Sequence, residues 1–309
     1  MALKITTSAL EALNTSVRAT FMSAYAGSEE IWHPRVTAMV PSGGASNIYP
    51  LAIDPGPVRE WSSGERLIKS LQLGSYQVFN TRYEKTVGIN RDTLRDDQTG
   101  ALIMQVREIG RKFRQHPDEM IAAIIVANPA GLDGLTLFHA THQRNPLVPD
   151  GNTFANLFGS KALTKDNLMA VRATMRSRKG PDGLVLRTNP RLLIVPPSLE
   201  YTAMQIAKAG FVPSTAGTAS EENVIKGMFD VLVIDQLEVA PTTWYLADVS
   251  TEDKPFIMQE RDPLELVTQF DPNDPAVFNR NEYVWGATVR YGFGPGNPLR
   301  ISKCQVAAL

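Results

Sequence analysis

The densest group of ligand-type side chains in this 309-residue chain is His139 and His142, with Asp133 and Asp150 close by in sequence. Two imidazoles and two carboxylates are donors that zinc accepts, and a metal hydrolase would be the enzyme reading of such a set. The spacing does not support it. His139-Ala-Thr-His142 is not the helical His-Glu-x-x-His arrangement, and it falls in a stretch rich in Gly, Pro and Asn, where no helix face aligns the rings. The pair therefore reads as surface or packing histidines. Asp96-Asp97 and Asp118-Glu119 flank a helical pattern where anions favour a helix start, so capping is expected of them, not acid–base chemistry. Gly292-Phe-Gly294-Pro-Gly296 has the glycines of a phosphate loop but no Lys-Ser or Lys-Thr after it, and it reads as a C-terminal turn. The single cysteine, Cys304, has no intramolecular partner and no activating neighbour in sequence. No catalytic, metal or cofactor site is expected, and the chain is not read as an enzyme.

Composition narrows the alternatives. With 43% hydrophobic and 20% charged residues the chain can bury a large core, enough for two lobes. A formal net charge of −1 provides no global cationic field, so contact with nucleic acid should be local and weak. Partners are expected to be proteins. One cysteine suits a reducing cytoplasm. The N-terminus lacks the apolar core of a signal peptide, and no run of about eighteen apolar residues occurs.

The periodicities predict the elements that carry these residues. Leu10, Leu13, Val17 and Phe21 recur at helical spacing, with Ser8 as a cap. Tyr83, Val87 and Ile89 alternate at period two and predict a half-buried strand. From Thr99 and Gly100 the longest helical stripe runs through Leu102, Val106, Ile109 and Phe113, and it resumes at Met120, Ile121, Ile124 and Ile125 beyond Pro117. A bend is expected near His116. Leu135 to Phe138 reads as a short strand. Between 160 and 255 a helix capped at Thr164 or Asp166, strands at 191–195, 231–234 and 244–247, and a helix at 198–209 alternate as in a compact α/β lobe. Segments 264–268 and 282–291 alternate again and must pair with something, the strands near Tyr83 to Ile89 or the long helix being the candidates.

The stretch from Ser46 to Glu119 combines a glycine-flanked charged loop, paired strands and a long helix with nothing like an active site. Its order of Ser46-Asn47-x-Tyr49, Arg59-Glu60-Trp61, Tyr76-x-Val78-x-Asn80, Tyr83-Glu84-x-Thr86-Val87-x-Ile89-x-Arg91, Asp96-Asp97-x-x-Gly100 and His116-Pro117-Asp118-Glu119 resembles the major head (capsid) subunit of Mu-like phages and prophages. The resemblance continues more weakly to the C-terminus.

That resemblance implies an α+β chain with the Hong Kong 97 capsid fold. It places an N-terminal arm at 1–45 and an extended loop with flanking strands at 46–90. A peripheral domain with a spine helix would occupy 91–159 (the helix itself 97–127), an inserted axial domain 160–255, and return strands of the peripheral domain 256–309. It implies a structural protein that assembles into hexamers and pentamers of an icosahedral head around double-stranded DNA. The virion capsid is its destination and the host cytoplasm its place of assembly. Scaffolding is expected from a separate protein, with portal and decoration proteins as further partners, weak non-specific DNA contact and no membrane. No lysine–asparagine pair matches the cross-link motif known in part of that fold family. Subunit contacts are expected from Arg59, Glu60, Trp61, Glu65 and Arg66, a mixed-charge loop around one large aromatic. A shell protein of a cargo-enclosing nanocompartment with the same fold is the alternative.

Overall fold

The computed structural model describes residues 7–27, 30–50, 75–96, 100–145, 151–180, 183–213, 220–271 and 273–306. The chain opens with helix α1 (Thr7–Ala26), the one-turn α2 (His33–Val36), strand β1 (Thr37–Pro41) and an antiparallel pair, β2 (Ser46–Pro50) and β3 (Ser75–Phe79). Strand β4 (Thr81–Asn90), α3 (Arg91–Asp96) and the long helix α4 (Ala101–Ala127) follow. A loop region then holds three two-residue strands, β5 (His142–Gln143), β6 (Thr153–Phe154) and β7 (Leu157–Phe158). Next come α5 (Lys165–Arg176), β8 (Leu192–Val195), α6 (Pro197–Lys208), the β9 (Phe211–Pro213) and β10 (Ser220–Glu222) pair, β11 (Asp230–Val233) and β12 (Trp244–Ala247). The chain closes with β13 (Phe256–Gln269), α7 (Pro275–Arg280), β14 (Glu282–Pro295) and β15 (Ile301–Cys304).

Two sheets organise these elements. The first has the order β1-β13-β14-β4, with β1 parallel to β13 and the other pairs antiparallel. Strand β14 alternates as a strand with one covered face must: Tyr283, Trp285, Ala287, Val289 and Tyr291 are buried, and they share a core with Val17 and Phe21 of α1 and Val106, Ile109 and Phe113 of α4. The second sheet has the order β11-β8-β12-β15-β7. On one of its faces α5 and α6 bury Leu168, Val171, Met175, Ala203 and Ile206 against Leu193, Val195, Trp244 and Leu246. On the other, Ile121 and Ile125 of α4 meet Leu192, Ile194 and Tyr245. Helix α4 thus spans about 40 Å, and its two apolar stripes enter two different cores, with Pro117 at the changeover.

Several expectations need correction. Within the segment expected to be an arm, α1 lies against α4 and β1 joins the first sheet. Their burial explains why, since Val17 and Phe21 each contribute about 1.5–3 kcal/mol when covered. Helix α4 continues through Pro117 without restarting. Asp96 ends α3 instead of opening α4, and Asp97 lies outside the described residues. Residues 135–138 form no strand beyond a bridge between Ala130 and Thr136, because consecutive Leu137 and Phe138 are both buried and their amides bond to Pro129 O and Asn128 Oδ1. Gly292 to Pro295 is not a turn but the end of β14. Ile301–Cys304 does not return to the first sheet: it pairs with β12 in the second, from Ala247↔Ile301 to Trp244↔Cys304. By contrast, Thr164 caps α5, its hydroxyl accepting from Asn167 N at 3.2 Å, and β14 finds its partner in β4, as Tyr83 to Ile89 required.

Candidate assembly interface

Arg59, Glu60, Trp61, Glu65 and Arg66 lie outside the described residues. The stem that carries them is described. Strands β2 and β3 pair from Ser46↔Phe79 to Pro50↔Ser75, which brings the two ends of the described stem side by side. Side chains of such a ribbon alternate. Asn47, Tyr49, Tyr76 and Val78 face the first sheet, while Ile48 and Phe79, each 65% exposed, point outward.

The inner face approaches β14 closely because two positions there have no side chain. A Cβ on Gly292 would stand 2.4 Å from the Phe79 carbonyl oxygen, and one on Gly294 would stand 2.7 Å from the Tyr76 hydroxyl and 2.9 Å from Val78. All three distances are below van der Waals contact, and the backbone oxygen facing Gly292 leaves no room there for a side chain. Burial at this contact pushes the Tyr76 phenol up to about 12. Polar bonds then pin the root. Gln259 Nε2 donates to Val78 O (2.8 Å) and Asn80 Oδ1 (2.7 Å), and Gln259 Oε1 accepts from Tyr49 Oη (2.9 Å). Asn80 Nδ2 donates to Ser42 Oγ (2.7 Å) and Gly44 O (2.9 Å), and Ser42 Oγ donates to Asn47 Oδ1 (2.7 Å). The residues spaced as Asn47-x-Tyr49 and Tyr76-x-Val78-x-Asn80 are therefore those that bolt the stem down. Gln259 was not singled out in the sequence, where it is one polar residue on a strand.

The histidine loop has other work. His142 is fully buried: its Nδ1 faces Asp133, and its Nε2 lies 3.2 Å from Leu137 O and 3.1 Å from Asn156 Oδ1. Each ring nitrogen faces a protein oxygen, so the ring is held by its own fold. Asn156 extends the network, donating to Leu137 O and Pro298 O and accepting from His139 N. Asp150 lies outside the described residues, and no cluster of three His, Cys, Asp or Glu able to hold a metal occurs among those described. Cys304 is buried, and burial raises its thiol to about 12 against the opposing pull of Lys161 and Arg178. A thiol so protonated is a packing group, not a nucleophile.

Asp118, expected as a capping residue, is instead a buried acceptor inside α4, taking bonds from His33 N (2.8 Å) and Trp32 N (3.3 Å) with His33 Nδ1 at 2.8 Å. Half-buried His116 meets Tyr291 Oη at 2.6 Å and packs on the Tyr83 ring, joining α4 to β14 and β4. Far from the stem, Phe278 on α7 is 81% exposed. The described residues thus present exposed apolar side chains at the stem and on α7.

A family model described as the Mu-like prophage major head subunit gpT matches residues 10–162, 154–237 and 238–302. The chain is 24% identical over 292 residues to the major capsid protein of Escherichia phage Mu, covering 94% of this chain and 72% of that one. It is 23% identical over 267 residues to the Mu-like prophage FluMu major head subunit of Haemophilus influenzae, covering 85% of this chain and 63% of its relative. Among solved structures, the procapsid of bacteriophage JBD30 superposes with a TM-score of 0.61 at 24% identity, over 99% of this chain and 77% of that chain. The mature capsid of bacteriophage PhiM1 gives 0.55 at 11% identity, over 92% and 89%. The fold is that of phage capsid proteins of the Hong Kong 97 type.

Proposed function

The chain belongs to the Mu-like prophage major head subunit family, and from that membership we propose that its copies form the hexamers and pentamers of an icosahedral head enclosing double-stranded DNA. As a member it is a structural subunit of a phage capsid shell, not an enzyme. The match across residues 10–302 carries this reading. A nanocompartment shell is not favoured, since the family is one of prophage head subunits.

Finer features belong to the proposal. The first sheet with the front half of α4 corresponds to a peripheral domain, and the second sheet with α5 and α6 to an axial one. Residues 46–90 hold the extended loop and its flanking strands, with Arg59, Glu60, Trp61, Glu65 and Arg66 contacting a neighbouring copy. Exposed ion pairs contribute about 0–1 kcal/mol, so Trp61 supplies most of that contact. With a net charge of −1, DNA is enclosed without being gripped. Scaffolding, portal and decoration proteins act as separate partners, and assembly takes place in the host cytoplasm. No helix among the described residues is long and apolar enough to cross a membrane. The test is the content of purified particles: heads containing this chain and genome-length DNA support the reading, and particles filled with a protein cargo and lacking DNA contradict it.

A further inference from the structure

The stem of residues 46–50 and 75–79 is a two-stranded ribbon that joins neither large sheet. Such a ribbon is marginal by itself, so its direction is set by whatever fastens it. One side chain reaches both strands of it. Gln259 is fully buried on β13, and its three side-chain bonds run to Tyr49, Val78 and Asn80, on both strands of the ribbon and just beyond. Its strand neighbours Ile257 and Met258 are buried and apolar. A hydrophobic residue at 259 would serve the core equally well, because a buried amide costs free energy unless it is bonded. What the amide adds is a grip on the ribbon.

We propose that Gln259 is a positioning residue for shell assembly: it fixes the direction in which the stem presents residues 51–74 to a neighbouring copy. The inference rests on the reading of 46–90 as the contact loop. Because every copy in a closed shell repeats the same contact, a stem that pivots spoils closure while each subunit stays folded. Asn80, Ser42 and Asn47 complete the grip from the β1 side.

Three chains test it under the conditions that give wild-type shells: Gln259→Met, which keeps length but not the bonds; Tyr49→Phe, which removes one bond; and a chain with residues 51–74 replaced by a short Gly-Ser turn. Thermal unfolding of the unassembled subunit is measured beside the yield and shape of particles, at a temperature where every subunit is folded. Gln259→Met is expected to give about tenfold fewer closed particles, equivalent to about 1.4 kcal/mol, with open or misshapen sheets in their place. Tyr49→Phe should move the same way by less. Wild-type yield and shape from Gln259→Met, while the loop-replaced chain fails to assemble, overturns this inference alone. Normal shells from the loop-replaced chain overturn the contact-loop reading and this inference with it. Should Gln259→Met not fold, Tyr49→Phe decides: wild-type particles refute the proposal, and fewer or misshapen ones support it.

Discussion

At the scale of single residues, the histidines show how little spacing says about role. His142 is a hub between Asp133, Leu137 and Asn156, whereas His139 is only half-buried. His142→Ala should therefore cost about 1–3 kcal/mol, the usual penalty for stranding buried partners, and His139→Ala should be close to neutral. Chemical denaturation measures both, and metal analysis of the purified wild type should find no stoichiometric zinc. A zinc ion lost together with the fold in the double variant would contradict this account. His116 gives a pH dependence. Burial lowers its imidazole below the ordinary value, outweighing the upward pull of Glu119. The unfolded chain thus takes up a proton that the folded subunit resists. Stability is complete above about pH 6.5 and declines as pH falls from there through the lowered folded value. In His116→Asn that part of the decline should vanish from unfolding curves collected between pH 5 and 8; an unchanged slope would show that other groups produce it.

At the scale of elements, packing between α1 and α4 hinges on one glycine. A Cβ at Gly110 would stand 2.8 Å from the Phe21 carbonyl oxygen and 2.9 Å from the Ala24 Cβ, so α1 would have to move. Gly110→Ala gains about 1 kcal/mol of helix propensity but forces a backbone contact, which typically costs about 1–3 kcal/mol. The expected result is a lower unfolding midpoint, and an increase would show that α1 yields freely. Legibility in the sequence follows the same physics. The period-two face of Tyr83, Val87 and Ile89 and both stripes of α4 could be read directly, because one-sided burial imposes them. That α4 changes cores at Pro117, that β15 joins β12, and that Gly292 and Gly294 make room for a ribbon could not be read, since each depends on a partner remote in sequence. Gln259 was invisible for the same reason: its three partners lie about 180 and 210 residues away.

At the scale of the whole molecule, the resemblance carried by 46–119 fits the matched family, and the loop residues 59–66 retain their proposed role. In the sequence Trp61 follows Pro55-Gly56-Pro57 and precedes Gly64. Trp61→Ala should leave the circular dichroism of the subunit unchanged and remove about 2 kcal/mol or more from each subunit contact, lowering particle yield steeply. An unfolded subunit would instead place Trp61 in an intramolecular core. The central claim, that this chain builds a shell from copies of itself, is tested most directly by electron microscopy of the purified protein, alone and with the scaffolding protein proposed above. The account predicts closed icosahedral particles with hexameric and pentameric units; a stable monomer under every condition would contradict it.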